Sequence, residues 1–107
     1  LINFGDTLFT ANRTQIADYA ITNKIPTNFN HAGFVGAGIL MSYGPEPVEL
    51  FVRLGNYVGK ILDGAKPEDL PVERPSEFDL VLNLKTAEKI DLTIPPEILL
   101  QTTKTIQ

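Results

Sequence analysis

The chain has 107 residues, a formal net charge of −4 and no cysteine. With 43% hydrophobic and 21% charged residues it reads as one folded globular domain at most, not a disordered segment. Its nine scattered Lys and Arg residues form no basic stripe, which excludes nucleic acid as a partner, and the absence of thiols excludes disulfide scaffolds, thiolate metal sites and cysteine nucleophiles.

The chain starts at Leu1, and "LINF" opens as a short apolar strand with no leader before it. This suggests a processed or truncated piece of a longer protein. Gly5-Asp6 closes the strand. "TANRTQIADYAITNK" then carries helix signals: Thr10 or Asn12 can cap it, Ile16, Ala17, Tyr19, Ala20 and Ile21 form its apolar face, and Asn23-Lys24 stops it. Ile25-Pro26 starts a second extended segment. Strand, helix and strand within about thirty residues make a βαβ unit, hence a parallel sheet.

Residues 28–38 hold three glycines and no clear period, which predicts a loop with one helical turn. "ILMSY", Ile39 to Tyr43, reads as a strand that is apolar on both faces up to Met41, as expected beneath helices on both sides. Gly44 to Pro47 breaks the chain, and the second proline suits a helix start. "VELFVRLGNYVGKILDG" is the strongest helix. Val48, Phe51, Val52, Leu54, Tyr57, Val58, Ile61 and Leu62 recur at helical spacing, Gly55 and Gly59 suit close packing, and Gly64 is a natural cap. The charged connector, about residues 64–77, is rich in proline and is expected to be extended and mobile. "FDLVLNL" gives a final strand, "KTAEKI" a short helix, and Pro95-Pro96 opens a last short helix. The fold class is α/β, with parallel βαβ layers.

Little here supports catalysis. His31 is the only histidine, no nucleophile motif accompanies it, and Ser42 lacks the flanking glycine two residues earlier that a nucleophile elbow needs. The acidic run from Glu68 to Asp79 lacks the alternate-position pattern of a calcium loop, so no metal site is expected. "GFVGAG", Gly33 to Gly38, has neither the spacing nor the placement of a dinucleotide fingerprint, and no cofactor is expected. Ligand binding at the carboxyl ends of parallel strands is the stronger idea. Two such ends are polar: Gly5 to Phe9, with Asp6, Thr7 and Phe9, and Ser42 to Gly44, with Ser42 and Tyr43. Tyr43 could stack on or bond a ligand, Ser42 could donate and Asp6 could accept from an amine. The residues leave open the alternative of a structural hydrogen bond for Tyr43 and a turn for Asp6.

"DTLFTANRTQIADYAITNKIP", "LMSYGP", "GAKPEDLPVE" and "NLKTAEKIDLTIPP" together resemble the C-terminal part of ABC transporter substrate-binding proteins with a type I periplasmic-binding fold. The resemblance runs over nearly the whole chain. It implies a two-lobed, non-enzymatic extracytoplasmic receptor, periplasmic or anchored to the membrane as a lipoprotein. Such a receptor closes its lobes on a small solute, an amino acid being one candidate, and delivers it to ABC permease subunits. It also implies that residues 1–107 supply part of the second lobe and the hinge-crossing segments, and that the helix from Val48 packs on the other lobe. Left without that lobe, the fragment is expected to self-associate. Similar proteins carry an arginine and acidic residues in the loop before "GGLMSYG". Here Ala32, Gly33 and Gly36 occupy that loop and Ile39 replaces a glycine, which implies a less polar or smaller contact surface. The same fold also serves as the ligand-sensing domain of regulators and receptors, the alternative reading.

Overall fold

Four short strands lie side by side in the order β1-β2-β3-β4. A computed structural model of the chain describes residues 1–107. The strands are Asn28–Phe29 (β1), Met41–Pro45 (β2), Phe78–Asn83 (β3) and Lys104–Ile106 (β4). β1 runs parallel to β2 with Asn28 opposite Met41, and β3 runs parallel to β4 with Val81 opposite Lys104. Parallel neighbours cannot be joined by a tight turn. Helices α1 (Thr7–Ala11) and α2 (Arg13–Thr22) precede β1, while α4 (Leu84–Lys89) and α5 (Pro96–Gln101) connect β3 to β4. The parallel α/β class expected from the sequence is therefore present.

The chain divides into two compact units, residues 1–44 with 79–107, and residues 45–78. In the first unit the expected strand "LINF" contracts to one parallel bridge between Ile2 and Asn28. Two backbone bonds hold it, from Asn28 N–H to the Leu1 carbonyl (2.8 Å) and from Asn3 N–H to the Asn28 carbonyl (3.0 Å). A short helix that was not expected, α1, comes first, capped by Asp6, which accepts the Leu8 N–H at 2.8 Å through Oδ1. Asn12, one of the two residues expected to cap the main helix, stands at the N-cap position of α2, but its side chain makes no capping bond there and donates to the Leu8 carbonyl at 2.8 Å instead.

Two hydrophobic clusters form the core of this unit. Ala17, Phe29, Phe34 and Ile39 make one, with Ile16 packed against it. Leu40, Ala87 and Ile90 make the other, joined by Ile21, Met41 and Ile94. Ile39 and Leu40 are consecutive yet enter different clusters, so both faces of the approach to β2 are covered, as the unbroken apolar run predicted. Phe29 and Phe34 meet with ring centroids 4.6 Å apart.

The segment expected to be a loop with one helical turn contains β1 and a 3-10 helix, Ala32–Ala37. Buried side chains clamp that helix. Asn83 Nδ2 donates to the Val35 carbonyl at 2.9 Å, while its Oδ1 caps α4 by accepting the Thr86 N–H at 3.0 Å. The Thr86 hydroxyl donates to the Gly38 carbonyl at 2.9 Å. One asparagine thus ends β3, starts α4 and fixes the backbone that carries Phe34.

The second unit is built on α3 (Pro47–Leu62), with Pro47 in its first turn and Gly64 beyond its end at φ 104°. The connector after it, expected to be extended, first turns through a 3-10 helix, Pro67–Asp69, and it is not loose. The Arg53 guanidinium reaches Glu49 (2.6 Å), the Arg74 carbonyl (3.2 Å), Ser76 (2.9 Å) and Glu73 (3.4 Å). The Tyr57 hydroxyl donates to the Pro71 carbonyl. Residues 71–76 are thereby strapped along one side of α3. A second stripe of the helix, Val48, Phe51, Val52, Val58 and Leu62, is exposed, and nothing lies within 4 Å of a Cβ built at Gly55 or Gly59.

Candidate functional site

Parallel strands end together, so the residues that follow them converge. Gly5-Asp6 follows the Ile2 bridge, Asn30-His31 follows β1, and Gly44 lies in β2. Asn30 sits at the centre of this convergence. A Cβ at Gly44 would stand 2.0 Å from the Asn30 carbonyl oxygen, and one at Gly5 would stand 2.9 Å from Asn30 Nδ2. Any side chain at position 44 would collide with backbone, so glycine there is what lets β2 pass so close to Asn30.

Beside these residues opens a cavity of about 530 Å³, lined by Gly5, Asp6, Thr7, Thr10, Asn30, His31 and Phe34. Three of its polar side chains are already engaged within the chain. Asp6 uses Oδ1 for its cap on Leu8, which leaves Oδ2 to accept from a donor in the cavity. The Thr10 hydroxyl donates to the Asp6 carbonyl at 2.9 Å. His31 Nδ1 accepts the Gly33 N–H at 2.9 Å, so the neutral imidazole carries its proton on Nε2, a donor. Phe34, 5% exposed and edge-on to His31, supplies an apolar wall. Asp6 is the one carboxylate in the lining, and no lysine or arginine joins it.

Of the five residues expected to bind ligand, the fold brings Asp6 and Thr7 into this cavity. Phe9 and Tyr43 are exposed but outside its lining, and Ser42 is buried at 1% exposure. Ser42 and Tyr43 alternate across β2, so they cannot both face the same side. Asn30, His31, Thr10 and Phe34 were not expected there. For Asn30 and His31 the signal was present: they directly follow a strand too short, at two residues, to stand out from a glycine-rich segment. Residues 32–37 bring Phe34 to the lining.

A parallel α/β sheet with a polar cavity at its strand ends is the architecture of a ligand-binding lobe, and no group of histidine, cysteine and carboxylate side chains is arranged to hold a metal. Residues 1–106 match the family described as ABC transporter substrate binding protein, and the chain belongs to that family. Its members are binding proteins, not enzymes. A crystal structure of a conserved domain protein from Vibrio cholerae superposes with a TM-score of 0.89 at 28% identity, covering 97% of this chain and 35% of that one. An ABC domain from Streptococcus pneumoniae in complex with L-Trp superposes with a TM-score of 0.84 at 28% identity, covering 94% of this chain and 35% of that one. An uncharacterised protein of Rickettsia prowazekii (strain Madrid E) is 32% identical over 73 residues, 68% of this chain and 24% of its own length. The chain thus spans about a third of those solved structures and a quarter of that curated relative. No helix is long and apolar enough to cross a membrane.

Proposed function

We propose that this chain forms one wall of the solute cleft of an extracytoplasmic receptor, which captures a small molecule and delivers it to an ABC permease. The observation that carries the reading is the open cavity at the strand ends, with Asp6 as its one charged group and Phe34 as its apolar wall. A concave surface with a few converging polar groups is what a small solute needs. An amino acid is the ligand class we favour. Asp6 is suited to an ammonium group, and the S. pneumoniae relative holds L-Trp.

In this reading the chain is the C-terminal portion of a two-lobed protein, acting outside the cytoplasmic membrane in the periplasm or on a lipid anchor. The exposed stripe of α3 from Val48 to Leu62 packs on the other lobe, which the rest of a polypeptide about three times as long would supply. The isolated piece, left with that stripe uncovered, self-associates. A thermal-shift screen of the complete polypeptide tests the proposal, because a ligand that binds the native state raises its stability by mass action. The expected result is a concentration-dependent rise in melting temperature with at least one L-amino acid. No shift with any amino acid would remove the ligand assignment.

A further inference from the structure

We propose that Asn83 and Thr86 are positioning residues for the cavity: neither lines it, yet together they set the wall that Phe34 forms and tie that wall to β3. The inference rests on the solute-binding reading above and adds two residues that tune the cavity from outside its lining.

Phe34 rides on the 3-10 helix Ala32–Ala37. A 3-10 helix has poorer hydrogen-bond geometry than an α-helix and gains little from its own backbone. Here the support comes from elsewhere in the chain. Asn83 Nδ2 donates to the Val35 carbonyl and the Thr86 hydroxyl to the Gly38 carbonyl, both at 2.9 Å. One bond grips the residue after Phe34, and the other grips Gly38, which ends the helix at φ 111°. Both donors are buried side chains, where a hydrogen bond is strong and an unmade one is costly.

The donors are themselves fixed. Asn83 Oδ1 accepts the Thr86 N–H at 3.0 Å, which locks the pair together at the start of α4. The Asn83 N–H donates to the Leu40 carbonyl at 2.8 Å. Asn83 is also the last residue of β3, a strand buried over its final three residues. The chain re-enters the first unit on this strand, at Asp79. A displacement at Phe34 is therefore passed through a fixed side chain to a buried strand, because a close-packed interior transmits strain.

The residue type fits this role. Aspartate caps a helix as well as asparagine does, so the cap on α4 alone does not call for an amide. The bond to Val35 does, since a carboxylate has no proton to donate there.

The test uses the complete polypeptide, titrated calorimetrically with each of the twenty standard L-amino acids. Thr86→Val drops the bond to Gly38, and Thr86→Ser keeps it. Asn83→Asp keeps the cap and loses the donor to Val35. Affinity for the tightest-binding amino acid should fall about three- to tenfold in Thr86→Val and Asn83→Asp, and return to within about twofold of wild type in Thr86→Ser. If the pair serves stability alone, melting temperatures fall while the affinity of the folded variants stays at the wild-type value. That result would overturn the assignment and leave amino-acid binding intact.

A second arm needs no ligand. Phe34→Leu should quicken amide exchange in residues 79–83 about threefold or more, measured against α5, and should not do so in the Asn83→Asp background. If no amino acid binds, that response keeps the positioning assignment and removes the ligand class. No response would remove both.

Discussion

Lys24 and Asp91, 67 residues apart, are joined by an ion pair, and each lies two residues beyond the end of its helix with positive φ, 53° and 58°. The two helix ends are built alike. Ile25 N–H reaches back to the Ala20 carbonyl and Leu92 N–H to the Ala87 carbonyl, both at 2.8 Å, the pattern of a left-handed C-terminal cap. Glycine usually fills that position because a Cβ there is strained. Here an exposed lysine and an exposed aspartate fill it and pair with each other.

The pair sits in water, with side chains 61% and 72% exposed, so its worth is small and falls with salt. A double-mutant cycle of Lys24→Ala and Asp91→Ala should give a coupling below about 1 kcal/mol. Asp91→Gly should raise stability by about 0.5 kcal/mol, since relief of backbone strain outweighs the lost pair and the extra freedom of the unfolded chain. Asp91→Val, β-branched at φ 58°, should lose more than about 1 kcal/mol. Urea midpoints read all three.

Asn83 is the costliest buried polar residue to lose. Asn83→Ala removes the cap on α4 and one of the two bonds to the Val35 carbonyl, which keeps the Gly38 N–H at 3.1 Å, so stability should fall by about 2–3 kcal/mol. Thr86→Val keeps the shape and drops only the hydroxyl bond to Gly38, for about 1–2 kcal/mol. Because the clamp holds the segment that carries Phe34, amide exchange of residues 34–38 should quicken in both variants before global unfolding does.

Gly55 and Gly59 test whether α3 is covered in the complete polypeptide. In an open helix, glycine to alanine gains about 0.5–1 kcal/mol per site, and nothing within 4 Å of either Cβ position forbids it here. If the other lobe packs on this stripe, the added methyls meet it. Gly55→Ala and Gly59→Ala should then lower the melting temperature of the complete polypeptide. A rise in both would show that the stripe stays open.

Tyr57 should ionise late. Desolvation against the strap raises its pKa above the ordinary 10.0, the negative charge of Glu73 adds to the rise, and Arg53 opposes it. For a raised pKa the neutral form is the one the fold favours. The contribution to stability is therefore complete below the unfolded value and is lost as pH climbs through the folded one. Absorbance at the phenolate band should show one tyrosine titrating above the usual range, and Tyr57→Phe should abolish that step along with the tie to Pro71.

The long elements were legible because their patterns are strong. The α3 stripe repeats over four turns, and the apolar run from Ile39 marked an interior strand, although β2 starts two residues later, at Met41, and continues through Gly44-Pro45, where a break was expected. Short elements were hidden for the opposite reason. β1 is two residues long and carries no period, and β4, Lys104–Ile106, is three residues after a helix end. The cavity suffered accordingly: Asp6 and Thr7 follow a strand that could be read, whereas Asn30 and His31 follow one that could not. The strap on α3 was missed because it depends on Arg53 and Tyr57 reaching residues about 14 to 23 positions away, which no local composition reveals.

The central claim is that Asp6 receives the ammonium group of an amino acid in a cleft of which this chain is one wall. Asp6→Asn is the sharpest probe, because asparagine caps a helix as well as aspartate and only the charge is removed. Calorimetric titration of the complete polypeptide with its best-binding L-amino acid should show one site per molecule, weakened about 10- to 100-fold by Asp6→Asn with the melting temperature of the free protein unchanged. Undiminished affinity in the variant would contradict the account.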